Sequence, residues 1–462
     1  MRFEIGPASL GCEHAILSMK NIVASVSLVA LGASSLQAAS TVGLTADPSK
    51  PWSVGLTLRG FYDDNINGVH DGKQTVYGVE ASPNVNLVWA HEQTAISASY
   101  AYSIKYYDHT PQGQTERYDQ SHTFNLALNH AFSPRYSVAV SDSFVIGQEP
   151  DQLRANQTLD TFQRLPGDNI RNYGFINFDG QLTPVFGFQV GYANSLYDYH
   201  DDGGFSLNPT SPHFLTGSAS GLLDRLEHEI HADARWQLEP NTVGLIGYKF
   251  RLNNYTGDEI ISGTPIFDPD TGSVVGLAGT LKSEVRDSRM HYVYGGVDHT
   301  FRPDLTGSVR AGASFIDYYN DPNGESDVAP YVMASLHWTY MLESYVDAGF
   351  SYDRTATDQF SVNDNGSVLH DAQTGSLWAS LNHRLAPNLF GGITGQIQNS
   401  NYRGGVQNNK DDWFYLVGVN LEYRFNRNLS AHAGYNFDKL DSQIEGRDFD
   451  RNRVYIGLTA GY

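Results

Sequence analysis

Cysteine is nearly missing from this chain: Cys12 is the single one in 462 residues, and it lies ahead of an N-terminal export signal. The mature chain should therefore hold no disulfide, zinc–thiolate centre or cysteine nucleophile. Cys12 is also misplaced for a lipid anchor, which would follow the apolar run of the signal. Beyond that signal there is no run of 18 apolar residues, which excludes helical membrane spans. Basic charge is scarce too. Thirty Lys and Arg stand against 51 Asp and Glu, a net charge of −21. So acidic a chain repels the phosphates of nucleic acid, and no nucleic-acid partner is expected. No P-loop, dinucleotide fingerprint or nucleophile elbow occurs. The length would suit about three ordinary domains, yet no linker or low-complexity tract divides the chain, and one repetitive architecture fits better.

What is present starts with the signal. Lys20 precedes an apolar run from Ile22 to Leu31, followed by small residues and Leu36-Gln37-Ala38-Ala39. That is the pattern of a secretory signal peptide, with cleavage expected near Ala38. Residues 1–18 add neither charge nor apolar run to it and read as an upstream extension, with the true start at Met19. The expected organisation is a signal within 1–38, a short periplasmic lead-in over 39–50, and one body over 51–462. Removing 1–38 leaves the net charge unchanged, because Arg2 and Lys20 balance Glu4 and Glu13.

The most regular stretch runs from Asp412 to Phe437. Trp413, Tyr415, Val417, Val419, Leu421, Tyr423 and Phe425 alternate with an increasingly polar set that ends in Asn420, Glu422 and Arg424. A strict period of two is a β-strand with unlike faces. Asn426-Arg427-Asn428 reverses the chain, and Leu429 to Phe437 alternates again. Each limb is about 9–13 residues, the reach of a tilted strand across a bilayer. Aromatics gather near both ends of the apolar face, where rings favour the lipid–water boundary.

This hairpin recurs. Phe132-Ser133-Pro134-Arg135, Leu182-Thr183-Pro184-Val185, Leu238-Glu239-Pro240-Asn241, Phe301-Arg302-Pro303-Asp304 and Leu385-Ala386-Pro387-Asn388 mark tight turns, since proline fixes φ and cannot donate to a ladder. Ala90–Gln93, Met341–Ser344 and Asn426–Asn428 take equivalent places. About eight tight turns alternate with about nine longer polar loops, the longest near 147–171, 199–226 and 254–288. Short connections at one end and long ones at the other mark an outer-membrane barrel. The fold class expected is all-β: a transmembrane antiparallel up-and-down barrel of about 18 strands. Sixteen stays open, because 171–182 and 289–300 alternate poorly. A spanning sheet must close, since each unpaired backbone group in lipid costs several kcal/mol. At 16–18 strands the lumen holds water unless something plugs it. A soluble β-sandwich would alternate as well, but not with such asymmetric connections.

The polar face expected to line the pore carries Arg59, Glu80, Lys105, Glu229, Asp233, Arg235, Arg310, Asp347, Arg384, Glu422 and Arg424. Such groups can set a transverse field, or simply pair with one another. Acids also collect between strands (Asp63-Asp64, Asp201-Asp202, Asp411-Asp412, Asp438 to Asp450), which places them on loops and suggests a mild cation preference. Tyr106-Tyr107, Tyr197, Tyr199, Tyr255, Tyr318-Tyr319, Tyr352 and Tyr402 crowd the outer strand ends. They read as an interfacial girdle or, less economically, a track for sugar rings. His228-Glu229-Ile230-His231 resembles a zinc motif, yet residues three apart on a strand face opposite ways. Asp268-Pro269-Asp270-Thr271-Gly272 lacks the distal acids of a calcium loop and reads as a turn. No catalytic, cofactor-binding or metal set is read, and the chain is expected not to be an enzyme.

The last strand ends Tyr455-x-Gly457-Leu458-x-Ala460-x-Tyr462, which resembles the terminal signal read by the barrel assembly machinery. With the signal peptide and the turns Phe301-Arg302-Pro303-Asp304-Leu305 and Leu385-Ala386-Pro387-Asn388-Leu389, the chain resembles the "putative β-barrel porin 2" family over most of residues 50–462. The resemblance implies an outer-membrane barrel of porin type, with related barrels associated with exopolysaccharide export and no catalytic residues to carry over. The expected activity is passive diffusion of small polar solutes. Polysaccharide export and a shut, adhesive surface barrel are the alternatives. Outer-membrane lipid, lipopolysaccharide, the assembly machinery and polar solutes or saccharides are the expected partners; oligomeric state is open.

Overall fold

A computed structural model describes residues 50–112, 116–147, 169–200, 206–207, 217–257 and 259–462. The signal peptide, Cys12, nearly all of the lead-in and parts of the loops at 147–171 and 199–226 lie outside the described residues. The chain runs through β1 (Trp52–Asp63), β2 (Val76–His91), β3 (Thr94–Tyr107), β4 (Tyr118–Ser133), β5 (Tyr136–Gly147), β6 (Asn169–Gln181) and β7 (Phe186–Tyr199). A short helix α1 (Ala219–Leu223) precedes β8 (Arg225–Glu239) and β9 (Thr242–Tyr255). A small hairpin, β10 (Ile260–Phe267) and β11 (Val274–Lys282), leads to a 3₁₀ turn at Ser283–Arg286. Then follow β12 (Ser288–Arg302), β13 (Leu305–Asp317), β14 (Ser326–Met341), β15 (Ser344–Thr355) and β16 (Asp371–Ala386). β17 (Leu389–Arg403), β18 (Asp411–Asn426), β19 (Leu429–Ser442) and β20 (Phe449–Gly461) complete it.

Eighteen of these strands form one antiparallel sheet in which each pairs with the next, β9 joining β12 across the small hairpin. β1 also pairs with β20, from Gly55↔Gly461 to Asp63↔Arg453, so the sheet closes on itself. The count is eighteen, and both poorly alternating stretches are strands, β6 and β12. Their faces explain the weak signal. β12 turns Met290, Tyr292 and Tyr294 to the buried side while His291 and Gly295 stand on the other. On β6, Asn172 shares the outward face with Ile176 and donates to Asp142 on β5 at 3.0 and 3.1 Å, beside Asn194 of β7. That polar row interrupts an otherwise apolar belt.

The belt itself is plain. Val54, Leu56, Leu58, Val79, Leu87, Ile230, Ile246, Val309, Leu377, Val419, Leu421 and Ile456 are all exposed, while their neighbours Thr57, Arg59, Glu80 and Leu245 are buried. Apolar side chains do not meet one another across two stacked sheets, and the sandwich is excluded. Proline sits where the ladder is interrupted. The β14–β15 ladder begins only at Val332↔Tyr352, beyond Pro330, and that of β2–β3 skips from Ala81 to Asn84 around Pro83. At the buried face, the ring of Tyr294 lies over Gly247 on the adjacent strand, where any Cβ would come within 2.3 Å of it. A large ring against a cross-strand glycine pins register there.

This arrangement makes the two faces unequal in a measurable way. Val419→Arg should cost about 2–4 kcal/mol of barrel stability, the penalty of a cation at the lipid midplane. Asn420→Lys, one residue on and facing inward, should be nearly neutral. Urea unfolding in lipid vesicles tests the pair, and equal losses would mean that the faces are misassigned.

Candidate pore wall and loop lid

The inward side chains pair along a strand, across neighbouring strands and over an intervening one, wherever opposite charges come within reach. Arg59 on β1 faces Glu80 on β2 at 3.4 Å, and Glu80 also accepts from Ser82 and Ser103. Lys105 lies opposite Glu80 on β3. Arg59 also packs against the Tyr455 ring, 5.1 Å from its centroid. On β8, Glu229 receives Arg251 at 3.1 Å and Lys249 at 3.3 Å. Asp233 accepts from the Tyr294 hydroxyl at 2.6 Å. Arg235 and Arg310 flank Asp298 at 2.8 and 2.6 Å. Asp347 meets His337 at 2.6 Å. Near the short turns, Arg384 pairs with Glu343 at 2.8 Å, and Arg424 lies 3.2 Å from Glu422 and 3.7 Å from Glu343.

The eleven residues fall into groups of differing depth. The Arg59–Glu80 pair is buried to within 5% of full enclosure. Arg235, Asp298 and Arg310 keep 20–26% of their side-chain surface, and Arg384 keeps 30%. Acids and bases stand together within these groups, so the inward face carries paired charges rather than a band of one sign. Asp298, Glu343, Lys249 and Arg251 belong to these pairs, as does Asp353, 3.1 Å from Arg251, and none of the five is picked out by sequence. Asp298 sits on the weakly alternating β12, and Glu343 in a turn, where periodicity says nothing.

Two readings need correction. Tyr107, Tyr199, Tyr255, Tyr318 and Tyr402 are buried, not part of an exposed girdle or a sugar track. Tyr107 donates to Asp119 at 2.5 Å, Tyr318 to Asp371 at 2.7 Å, and Tyr402 to Asp412. The backbone N–H groups of Tyr199 and Tyr255 each donate to an aspartate just ahead of the next strand, Asp224 and Asp287, at 2.7 Å. A tyrosine at the outer end of a rising strand thus ties it to acids at the starts of neighbouring strands. Parity was the available signal: Tyr106 is exposed and adjacent Tyr107 must face the other way. Likewise Asp63, Asp412 and Asp438 are strand-end residues, held by Arg451, Arg447 and Arg453 at 2.5–2.8 Å, and not free loop acids. The histidine pair divides as expected, His228 bonding Tyr192 on the outward face while His231 falls on the inward one. Asp268 caps the β10–β11 turn by accepting from Asp270 and Thr271.

The long-loop end holds a feature the sequence did not announce. Arg286, 1% exposed, donates to the carbonyls of Leu222 at 2.8 Å, Thr357 at 2.6 Å and His370 at 3.0 Å. It thereby ties α1, the 3₁₀ turn and the loop over 356–370 to one guanidinium. Ile261, Val285 and Val368 pack beside it with Leu222, Phe360 and Val362. On the other side, Arg447 joins Asp358 to Asp412 at 2.7 and 2.8 Å. Asn323 and Val406 tie the loops over 318–325 and 404–410 to the same segment. A loop that reaches two loops away in both directions lies across the mouth rather than upright on its rim. We term these interlocked segments the lid.

The family model described as "Putative beta-barrel porin 2" matches residues 279–462, from within β11 to the last residue. The resemblance read from the turns is borne out over that range, which is narrower than 50–462. No match is found among curated proteins. Among solved structures, the outer membrane protein opdK of Pseudomonas aeruginosa is 9% identical, with 89% of this chain and 99% of that one covered and a TM-score of 0.41. A BenF-like porin of Pseudomonas fluorescens Pf-5 is 10% identical over 89% and 99%, at 0.42. OccAB4 of Acinetobacter baumannii is 11% identical over 90% and 99%, at 0.41. No residue role transfers across so loose a likeness.

Proposed function

We propose that this chain, an outer-membrane β-barrel of porin type, is a passive channel for small polar solutes, sieved first by the lid and then by a wall of paired charges. The observation that carries the reading is the closed sheet with apolar side chains outward and ion pairs inward. Solutes would move down their gradients with no covalent step. We place the wall at Arg235, Asp298, Arg310, Arg384 and Glu422, among the eleven residues named from sequence and their partners. Because the wall carries both signs, a mild cation preference would arise from the overall charge of −21 rather than from the wall.

Reconstitution in planar bilayers under a KCl gradient tests this. The expected reversal potential has the sign of cation preference. Asp298→Asn, which strips the acid from between Arg235 and Arg310, should shift it toward anions. Anion preference in the unaltered protein would remove the cation reading, and no shift in the variant would take Asp298 off the pathway. The interlocked lid favours a second reading, a shut surface barrel, and a complete lack of conductance would select it.

A further inference from the structure

Where the lid meets β13 and β16, three side chains from two loops converge on one point. Asp321 and Glu325 belong to the connection after β13, and His370 closes the one before β16. One ligand atom from each lies within 4.8 Å of the others. His370 Nε2 and Asp321 Oδ2 are 2.8 Å apart, and both residues are more than nine-tenths buried. Yet, close as they are, neither atom makes a well-aligned hydrogen bond. Two buried polar atoms left in this state are costly. Two atoms ligating one zinc ion at about 2.0–2.1 Å in tetrahedral array stand about 3.3 Å apart, so a shift of about half an ångström admits the ion.

The surroundings hold the donors in place. The His370 ring stacks on Tyr318, centroids 3.9 Å apart at 22°. Its backbone is fixed at both ends, the N–H donating to Arg403 O and the carbonyl accepting from Arg286. Asp321 Oδ1 accepts from Asn323 N–H at 2.8 Å, which leaves Oδ2 facing the imidazole. Glu325, with a third of its side chain exposed, has a carboxylate oxygen within 4.8 Å of the other two donors and can swing in as the third ligand. Outer-shell contacts of this kind orient metal ligands. No sequence motif announces the set, since its members come from loops 45 or more residues apart.

We propose that Asp321, Glu325 and His370 form a binding site for a divalent transition-metal cation of the zinc class, which clips the 318–325 loop to the end of the 356–370 loop. One imidazole with two carboxylates suits zinc-like ions, whereas calcium prefers an all-oxygen shell. The clip would tighten the lid without touching the wall.

The test is isothermal titration of the full chain in detergent with zinc chloride, with limited proteolysis of the loops alongside. One zinc per chain is expected, with cleavage within 356–370 slowed by the metal. His370→Ala and Asp321→Asn should each weaken binding at least about tenfold, and Glu325→Gln, at the partly exposed ligand, should weaken it without disturbing the packed pair. His109→Ala, on a separate exposed loop, should leave it unchanged. Heat-modifiable migration on gels confirms that each variant keeps its barrel. Zinc binding that survives in an Asp321→Asn/His370→Ala double variant, or no binding by the unaltered chain, overturns the proposal.

Discussion

Arg286→Ala is expected to loosen the outer mouth, with a rise in single-channel conductance and faster cleavage of the loops at 217–224 and 356–370 by an added protease. Arg286 makes three charge-assisted hydrogen bonds to backbone carbonyls, those to Thr357 and His370 buried and that to Leu222 partly so. Bonds to a charged group contribute about 1.5–3 kcal/mol each, and deletion leaves three carbonyls short of a donor. The Tyr255 ring also loses the guanidinium that lies 4.6 Å from its centroid. Arg286→Lys should fall between, because an ammonium is a point donor and cannot span three carbonyls as a planar fork does. Arg286 reaches lid segments rather than the barrel ladder, so circular dichroism and heat-modifiable migration should not change. Unaltered conductance and cleavage would mean that the apolar cluster of Ile261, Val285 and Val368 holds the lid alone.

How far the chain could be read in advance follows from what each element must satisfy. Lipid demands apolar side chains at every second position over a fixed span, so β18 and β19 were legible residue by residue. The short turns were marked by proline for an equally local reason. β6 and β12 were blurred because Asn172 faces outward and Tyr292 and Tyr294 face inward, against the simple rule. At the wall, the charged residues were visible but their partners only in part: Asp298 and Asp353 acquire meaning from register and from reach across strands. Arg251 on β9 meets Asp353 on β15 at 3.1 Å, a contact no local pattern encodes. The lid was illegible for a deeper reason. Arg286 binds main-chain carbonyls, which every residue owns, so nothing in the partner's sequence identifies it.

The seam where the last strand meets the first should be the most sensitive place in the barrel. Arg451 on β20 forks onto Asp63 of β1, Nε at 3.0 Å from both oxygens and Nη2 at 2.5 Å from one, and both residues are buried. Removing one member of a buried ion pair leaves the other charged and enclosed, at a cost of about 3–5 kcal/mol. Arg451→Ala should therefore lower the unfolding midpoint markedly and weaken the heat-resistant folded band on gels. The position magnifies the effect. β1 and β20 are the first and last strands, joined by no turn, and an opened seam exposes two strand edges to lipid, where unpaired backbone groups cost several kcal/mol each. Asp63→Asn should cost less, since an amide can still accept from the guanidinium. An Asp63→Leu/Arg451→Met double variant, with neither charge, should recover much of the loss, because apolar pairs of similar size often replace buried ion pairs without penalty. If the double variant is no more stable than Arg451→Ala, stranded charge is not what the single change costs, and packing of the long side chain against the seam takes its place.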